Sequence, residues 1–262
     1  IRQPSPEERE HHAKEILNIR AESISQVALD MPKAKVTLTR EGTMWKLAPH
    51  GGRADVELVQ RLLETLSPLM AERILSGSRE QPLDPKAYGL EPAVGWLSLV
   101  MNGAPMTLFL GETTPVHDNR YLKLSNRQDI FVISSQLFDM ANIPAETFRD
   151  PLLIRLTGGL VDGLRITSPM VKMTLTRLEN AWSLTQPLAD RADRTEVNSL
   201  LNHLAEIRIK RFVNDTPNVE QLPTWGFDNP KAEVMLQQTE SPTAVTLFFG
   251  NALSDDASLI YA

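Results

Sequence analysis

Two acidic stretches have the residue types that could hold a cation. His117–Asp118 lies shortly before Tyr121, and the matching stretch near the end of the chain is Asp255–Asp256. Carboxylate oxygens suit a hard cation such as Ca²⁺, but a calcium site needs six or more oxygens from a shaped loop. Neither stretch has that spacing. We therefore predict solvated loops with no metal, and keep these four residues as candidate interaction residues.

The other histidines offer no clear metal site. His11 and His12 are adjacent in a charged segment, and adjacent helical positions point about 100° apart, so they do not converge on one ion. His50 and His203 have no partner that the sequence identifies. We predict that the chain carries no metal and no other cofactor.

Catalytic motifs are missing from the sequence. It contains no G-x-S-x-G, H-E-x-x-H, Walker A or dinucleotide-binding glycine pattern. The glycine-rich stretch at 156–164, LTGGLVDGL, lacks the spacing of a dinucleotide site and indicates a linker. Serine, histidine and aspartate all occur, and a triad is recognised by geometry rather than by order. We predict no catalytic residue, and a hydrolase is the least favoured alternative.

Aromatic residues could stack on a sugar or on a partner protein. Six of the seven Trp and Tyr residues recur in matching pairs along the chain: Trp45 with Trp182, Tyr88 with Trp225, and Tyr121 with Tyr261. A duplicated fold needs the same large apolar side chains in each core, so the pairing favours packing. Trp96 has no aromatic counterpart, which makes it the better candidate for a surface role.

These residues sit within a repeat. KVTLTREGTMWKL at 35–47 and KMTLTRLENAWSL at 172–184 are offset by 137 residues, and seven of their thirteen positions are identical. Alternation with period two predicts strands with one buried face. An apolar stripe at helical spacing follows in both copies, with Asp55 and Asp193 at the expected N-caps. Each copy is predicted to be a β-hairpin, a helix and a β-meander.

The repeat sets the predicted organisation. The fold class is α+β, with two tandem homologous units, each a mainly antiparallel sheet with a packed helix. Residues 1–22 are expected to form a charged lead-in helix after a removed membrane anchor. Residues 23–155 form the first unit. Residues 156–262 form the second, which is expected to be truncated at its C-terminal end because the chain stops within an apparent strand.

Composition excludes several classes of protein. The net charge of −6 argues against nucleic-acid binding, which needs Lys and Arg to neutralise phosphates. The absence of cysteine excludes disulfides, iron–sulfur clusters, thiolate zinc sites and a cysteine nucleophile. No stretch has the roughly 18–20 apolar residues needed to cross a bilayer.

Taken in order, these residues resemble the 4340 domain-of-unknown-function family. In the first copy the resemblance is carried by Val27, Leu29, Trp45, Leu47, Ala54, Asp55, Val59, Leu62, Leu63, Tyr88, Gly89, Leu90, Pro92, Leu108, Leu110, Gly111 and Tyr121. In the second copy it recurs at Trp182, Ala192, Asp193, Val197, Leu200, Leu201, Trp225, Gly226, Pro230, Gly250 and Tyr261. One departure is WGFDNP at 225–230, which stands where the family pattern has Tyr-Gly-Leu-x-Pro.

The resemblance implies a setting rather than a reaction. Such proteins typically have one N-terminal transmembrane helix and an extracytoplasmic region, and are often encoded beside ABC-transporter permeases and gliding-motility-type auxiliary proteins. We expect a non-enzymatic accessory or scaffold at the periplasmic face of the inner membrane. Its partner would be an ABC-transporter permease or an auxiliary membrane protein, contacted through sheet edges or the groove between the units. The alternative is a glycan- or lipid-binding module of the cell envelope.

Overall fold

The computed structural model describes residues 14–49, 51–78, 80–156, 160–179, 181–239 and 244–262. The chain divides after Asp150 into two compact units, called unit 1 and unit 2. Pro151 belongs to unit 2 because its carbonyl oxygen accepts a hydrogen bond from the Ile209 N–H at 2.7 Å. The observed division therefore lies slightly before the expected one between residues 155 and 156.

Unit 1 is built around an eight-stranded antiparallel sheet. Its described strands are β1 (Glu15–Leu17), β2 (Ile24–Met31), β3 (Ala34–Glu41), β4 (Met44–Ala48), β5 (Leu69–Met70), β6 (Arg73–Leu75), β7 (Gly95–Met101), β8 (Ala104–Thr113), β9 (Arg120–Leu124) and β10 (Ile130–Ile133). Its α-helices are α1 (Val56–Glu64) and α2 (Gln136–Ala141), and 3₁₀ turns cover Ala21–Ser23, Pro85–Tyr88 and Ala145–Phe148. The sheet order is β4-β3-β2-β7-β8-β9-β10-β6, and β1 pairs separately with β5.

Unit 2 follows the same plan with fewer described strands. It contains β11 (Val161–Thr167), β12 (Lys172–Leu178), β13 (Ala181–Gln186), β14 (Asp190–Arg191), β15 (Ala232–Gln238) and β16 (Val245–Phe249), with helices α3 (Arg194–Glu206) and α4 (Leu222–Trp225). The six strands form one antiparallel sheet in the order β14-β13-β12-β11-β15-β16. Mainly antiparallel sheets with few helices confirm the predicted α+β class.

A central strand organises each sheet. In unit 1, Val27 on β2 lies opposite Leu38 on β3 and Leu99 on β7, and all three are buried. Side chains on a strand alternate between faces, so this register places one apolar row against the core. Each fully buried aliphatic side chain contributes about 1.5–3 kcal/mol of transfer free energy.

Unit 2 repeats this register. Leu164 on β11 lies opposite Leu175 on β12 and Leu236 on β15, and these three are also buried. The strands β11, β12 and β15 thus hold the places that β2, β3 and β7 hold in unit 1. The repeat read from the sequence corresponds to matching strand pairings in the two units.

One helix packs beside each sheet and begins at an aspartate. The Asp55 carboxylate accepts a hydrogen bond from the Leu58 N–H at 3.0 Å. The Asp193 carboxylate accepts from the Thr195 N–H at 2.7 Å and from the Glu196 N–H at 3.4 Å. Both caps satisfy N–H groups that the first helical turn leaves unpaired. The predicted N-caps are confirmed.

The described end of the lead-in segment differs from the helix expected over residues 1–22. Residues 1–13 lie outside the described residues, and from Glu15 the chain forms strand β1. Leu17 pairs with Leu69, and the Ala71 N–H donates to the Lys14 carbonyl oxygen at 2.8 Å. Ile16 and Leu17 are buried in the core of unit 1. Over Glu15–Leu17, tertiary pairing and burial therefore override the helical pattern of the sequence.

Asp150 is the one buried charged residue among those that the structure describes. Its carboxylate lies 2.9 Å from the Arg53 guanidinium Nε. The Asp150 side chain is 2% exposed, whereas the Arg53 side chain is 40% exposed. This ion pair ties the last residue of unit 1 to the segment that leads into α1.

Within the described ranges, no helix is both long enough and apolar enough to cross a membrane.

The two aspartate caps provide a matched test of the repeat. Asp55→Ala and Asp193→Ala should each lower the free energy of unfolding by about 1 kcal/mol, because each leaves helix N–H groups without an acceptor. Asp55→Asn and Asp193→Asn keep an acceptor oxygen and should cost much less. Urea denaturation followed by circular dichroism measures all four, and a large loss at only one cap would contradict the equivalence.

The ion pair of Asp150 should matter more than a surface pair. Arg53→Met leaves a buried carboxylate without this cation, and we expect a loss of about 2 kcal/mol, less than for a fully buried pair because Arg53 is partly exposed. Lys35→Met is the control, since Lys35 pairs with Asp30 at the surface and should cost at most about 0.5 kcal/mol. Equal effects on urea denaturation would argue against a structural role for Asp150.

Candidate functional site

His117 and Asp118 lie at the tip of the loop between β8 and β9. The Thr114 N–H donates to the Asn119 carbonyl oxygen at 2.7 Å, and the Thr114 hydroxyl donates to the Val116 carbonyl oxygen at 2.6 Å. His117 has φ 69° and Asp118 φ 52°, so the tip runs through the left-handed region. Both side chains are exposed. They turn the chain and face solvent.

Asp255 and Asp256 occupy the matching loop of unit 2. The Asp256 carboxylate accepts hydrogen bonds from the Ser258 hydroxyl at 2.6 Å and from the Ser258 N–H at 3.0 Å. These two donors lower the pKa of Asp256 from its ordinary value. Asp255 lies 3.9 Å from Arg211 in an exposed pair. The ionised Asp256 carboxylate is thus stabilised by hydrogen bonds within its own turn.

The carboxylates do not assemble into a metal site. Over the part of the chain that the structure describes, no three His, Asp or Glu side chains come close enough together to hold an ion. His117–Asp118 belongs to unit 1 and Asp255–Asp256 to unit 2. Each pair stays a candidate for contacts with a partner.

Trp96 lies on β7, on the sheet face opposite the core. Its neighbours Gly95 and Leu97 are buried, whereas Trp96 is half-buried. It sits directly across from Phe109 on β8 and Asp30 on β2. Glu233 takes the same place in unit 2, where it pairs with Phe248. Trp96 is a position where the two units differ on the face away from the core.

The recurring tryptophans fill the cores. Trp45 and Trp182 are both buried. The Arg40 guanidinium lies 4.8 Å from the Trp45 ring centroid, and the Arg177 guanidinium lies 5.8 Å from that of Trp182. These distances allow cation–π contacts in both units. The packing interpretation of this pair is confirmed.

A second aromatic pair packs beside a glycine in unit 1. Tyr88 and Tyr121 meet edge to face, with ring centroids 4.9 Å apart. A Cβ atom at Gly111 would collide with the Tyr88 carbonyl oxygen. Only glycine lets the Tyr88 backbone approach β8 this closely.

Unit 2 keeps this arrangement with other residues. Trp225 and Tyr261 lie with ring centroids 6.0 Å apart. A Cβ atom at Gly250 would collide with the Trp225 carbonyl oxygen. These aromatic residues therefore have a structural role in each unit.

The exposed face of α3 carries residue types that the sequence did not single out. Ser199, His203 and Glu206 are spaced four and three residues apart, so they share one helix face. With Arg194 and Asn202 they line an open depression. The helical spacing could have indicated this group. A depression formed by one helix alone is open to water, so the arrangement lacks the enclosed setting of a nucleophilic site.

Three of the histidines cannot be placed in this way. His11, His12 and His50 lie outside the described residues.

Exposed apolar side chains are unevenly distributed between the units. Eleven large apolar side chains are exposed among the described residues. Unit 1 has two, Met44 and Val116, and unit 2 has nine: Met170, Val171, Leu178, Leu188, Val213, Val219, Val245, Phe248 and Ile260. A contiguous exposed apolar patch marks a contact site on a protein, whereas single exposed apolar residues are ordinary. The larger number of exposed apolar side chains makes unit 2 the better place to look for an interaction surface.

Comparison with protein families identifies one family, which matches the chain twice. The model of the family described as Domain of unknown function (DUF4340) matches residues 45–218 and, in a second match, residues 182–262. The two matches overlap, as expected for consecutive copies of a related pattern. No curated protein and no solved structure matches the chain.

Divalent cations should leave the protein unchanged. We expect the melting temperature in 1 mM Ca²⁺ to equal that in EDTA, because the acidic loops supply too few ligands for a site. Asp118→Asn and Asp256→Asn serve as matched variants. A calcium-dependent rise in melting temperature that either variant removes would show that the loop binds the ion.

Proposed function

The chain belongs to the DUF4340 family, and from that premise we propose that it is a non-enzymatic accessory or scaffold protein. It acts at the extracytoplasmic face of a membrane, as the anchored part of an ABC-type export system. It works by contacts with membrane proteins and carries out no reaction. The partner is a transporter permease or an auxiliary membrane protein.

The apolar surface of unit 2 carries this proposal. Nine of the eleven exposed large apolar side chains belong to unit 2, although it has fewer residues than unit 1. Large apolar groups at a surface are stabilised when a partner removes them from water. A scaffold that docks through unit 2 accounts for this asymmetry.

His117 and His203 are the histidines that the structure describes, and both side chains face solvent. The glycan- or lipid-binding alternative stays a prediction of the sequence.

Crosslinking in native membranes tests the proposal. A photoreactive phenylalanine analogue replaces Phe248 or Leu178 in the natural full-length protein, expressed in its own host. Irradiation should join the protein to one membrane partner. The matched controls carry the analogue at Phe109 and Glu41, which hold the equivalent places in unit 1.

The pattern of adducts decides the outcome. Adducts at Phe248 or Leu178 and none at the controls support docking through unit 2. If no position yields an adduct with a membrane protein, and the natural protein purifies from membranes without a partner, the scaffold proposal is wrong.

A further inference from the structure

A tight turn of unit 2 presents an apolar side chain at its tip. β11 ends at Thr167 and β12 begins at Lys172, and the Ser168 N–H donates to the Val171 carbonyl oxygen at 2.7 Å. The Val171 N–H donates in return to the Ser168 hydroxyl at 3.1 Å. These bonds close the turn and place Met170 at its tip, where it is 96% exposed.

A second turn carries another apolar side chain at the same end of the sheet. Leu188, between β13 and β14, is 60% exposed. β12 starts beside the end of β13, since Thr174 lies opposite Gln186. Adjacent strands are about 4.8 Å apart, so the two hairpin tips lie roughly 10 Å from each other. Met170 and Leu188 together form what we call the apolar tip.

Unit 1 shows that the fold does not require this tip. The turn between β2 and β3 reads Pro32–Lys33, where unit 2 has Pro169–Met170. Lys33 is exposed, so exposure belongs to the position and not to the residue type. At the second turn the sequence of unit 1 reads Pro49–His50, where unit 2 has Pro187–Leu188. Both polar residues of unit 1 are thus apolar in unit 2.

The charges beside the apolar tip are compatible with a membrane surface. The nearest charged residues along the two hairpins are Lys172, Asp190 and Arg191, which leave a net charge of about +1 at neutral pH. A weak positive balance favours contact with lipid headgroups that carry some negative charge. Apolar side chains gain free energy when they leave water for the boundary between headgroups and acyl chains.

We propose that the apolar tip inserts Met170 and Leu188 into the interfacial region of a lipid bilayer. A protein partner would need a pocket shaped for two separate protruding side chains, whereas a lipid interface accepts them without one. The inference rests on the proposed location of the chain beside a membrane. It does not depend on the export partner.

The absence of cysteine allows a clean test. Met170→Cys and Lys33→Cys each receive one environment-sensitive nitrobenzoxadiazole probe. The labelled 262-residue chain is attached by an N-terminal polyhistidine tag to vesicles of phosphatidylethanolamine and phosphatidylglycerol that contain a nickel-chelating lipid. The probe at position 170 should shift to shorter wavelength and gain intensity, because it leaves water. The probe at position 33 should stay unchanged.

A flotation assay without the tag measures the contribution of the side chain. Met170→Lys restores the residue type of unit 1, and it should lower partition into the same vesicles about tenfold, through lost apolar burial and the cost of inserting a charge. Met170→Leu keeps an apolar group and should bind like the unaltered chain. Circular dichroism confirms that each variant is folded.

Three results would overturn the proposal. The first is an unchanged emission of the probe at position 170 on tethered, folded protein. The second is an equal emission shift at positions 170 and 33. The third is an emission shift at position 170 that occurs only when a membrane protein is added. The last result would assign the tip to a protein pocket instead. Failure here leaves the crosslinks at Phe248 and Leu178 unaffected, so the two proposals are judged separately.

Discussion

The pairing of one central strand on both sides is the constraint on which each unit depends. In unit 1, β2 lies between β3 and β7, and in unit 2, β11 lies between β12 and β15. A shift of one residue in either pairing would move every buried side chain of that strand to the opposite face. Val27 and Leu164 are therefore fixed by two neighbours each, and the apolar row they belong to packs beside the capped helix.

This constraint explains which differences between the units are permitted. Trp45 and Trp182 are buried and keep the same residue type, because the shape of the core is shared. Trp96 and Glu233 occupy equivalent places on the face away from the core, and there the residue type changes. Lys33 and Met170 differ in the same way at a turn. The units therefore differ in both directions away from the core: unit 1 is more apolar at Trp96, and unit 2 is more apolar at Met170.

The sequence predicted the elements whose signals are local. Period-two alternation and the aspartate caps placed the hairpins and the helices, and the matching residues placed the repeat. Strand β1 was missed because Glu15–Leu17 follows a charged, helix-like stretch of sequence, while its partner Leu69 lies about fifty residues further along the chain. No short-range pattern contains such a pairing.

The Ser199 and His203 group was missed because neither residue has a distinctive motif. The apolar tip was missed because exposure is a property of the folded chain.

Residue-resolved amide hydrogen exchange tests the central claim most directly. If β2 and β11 are the central strands of two equivalent sheets, the N–H groups of Val27 and Leu164 will be among the slowest to exchange in their units, since both edges of each strand are paired. Rapid exchange of Leu164 alongside slow exchange of Val27, in folded protein, would contradict the account, because unit 2 would then lack the framework that unit 1 has.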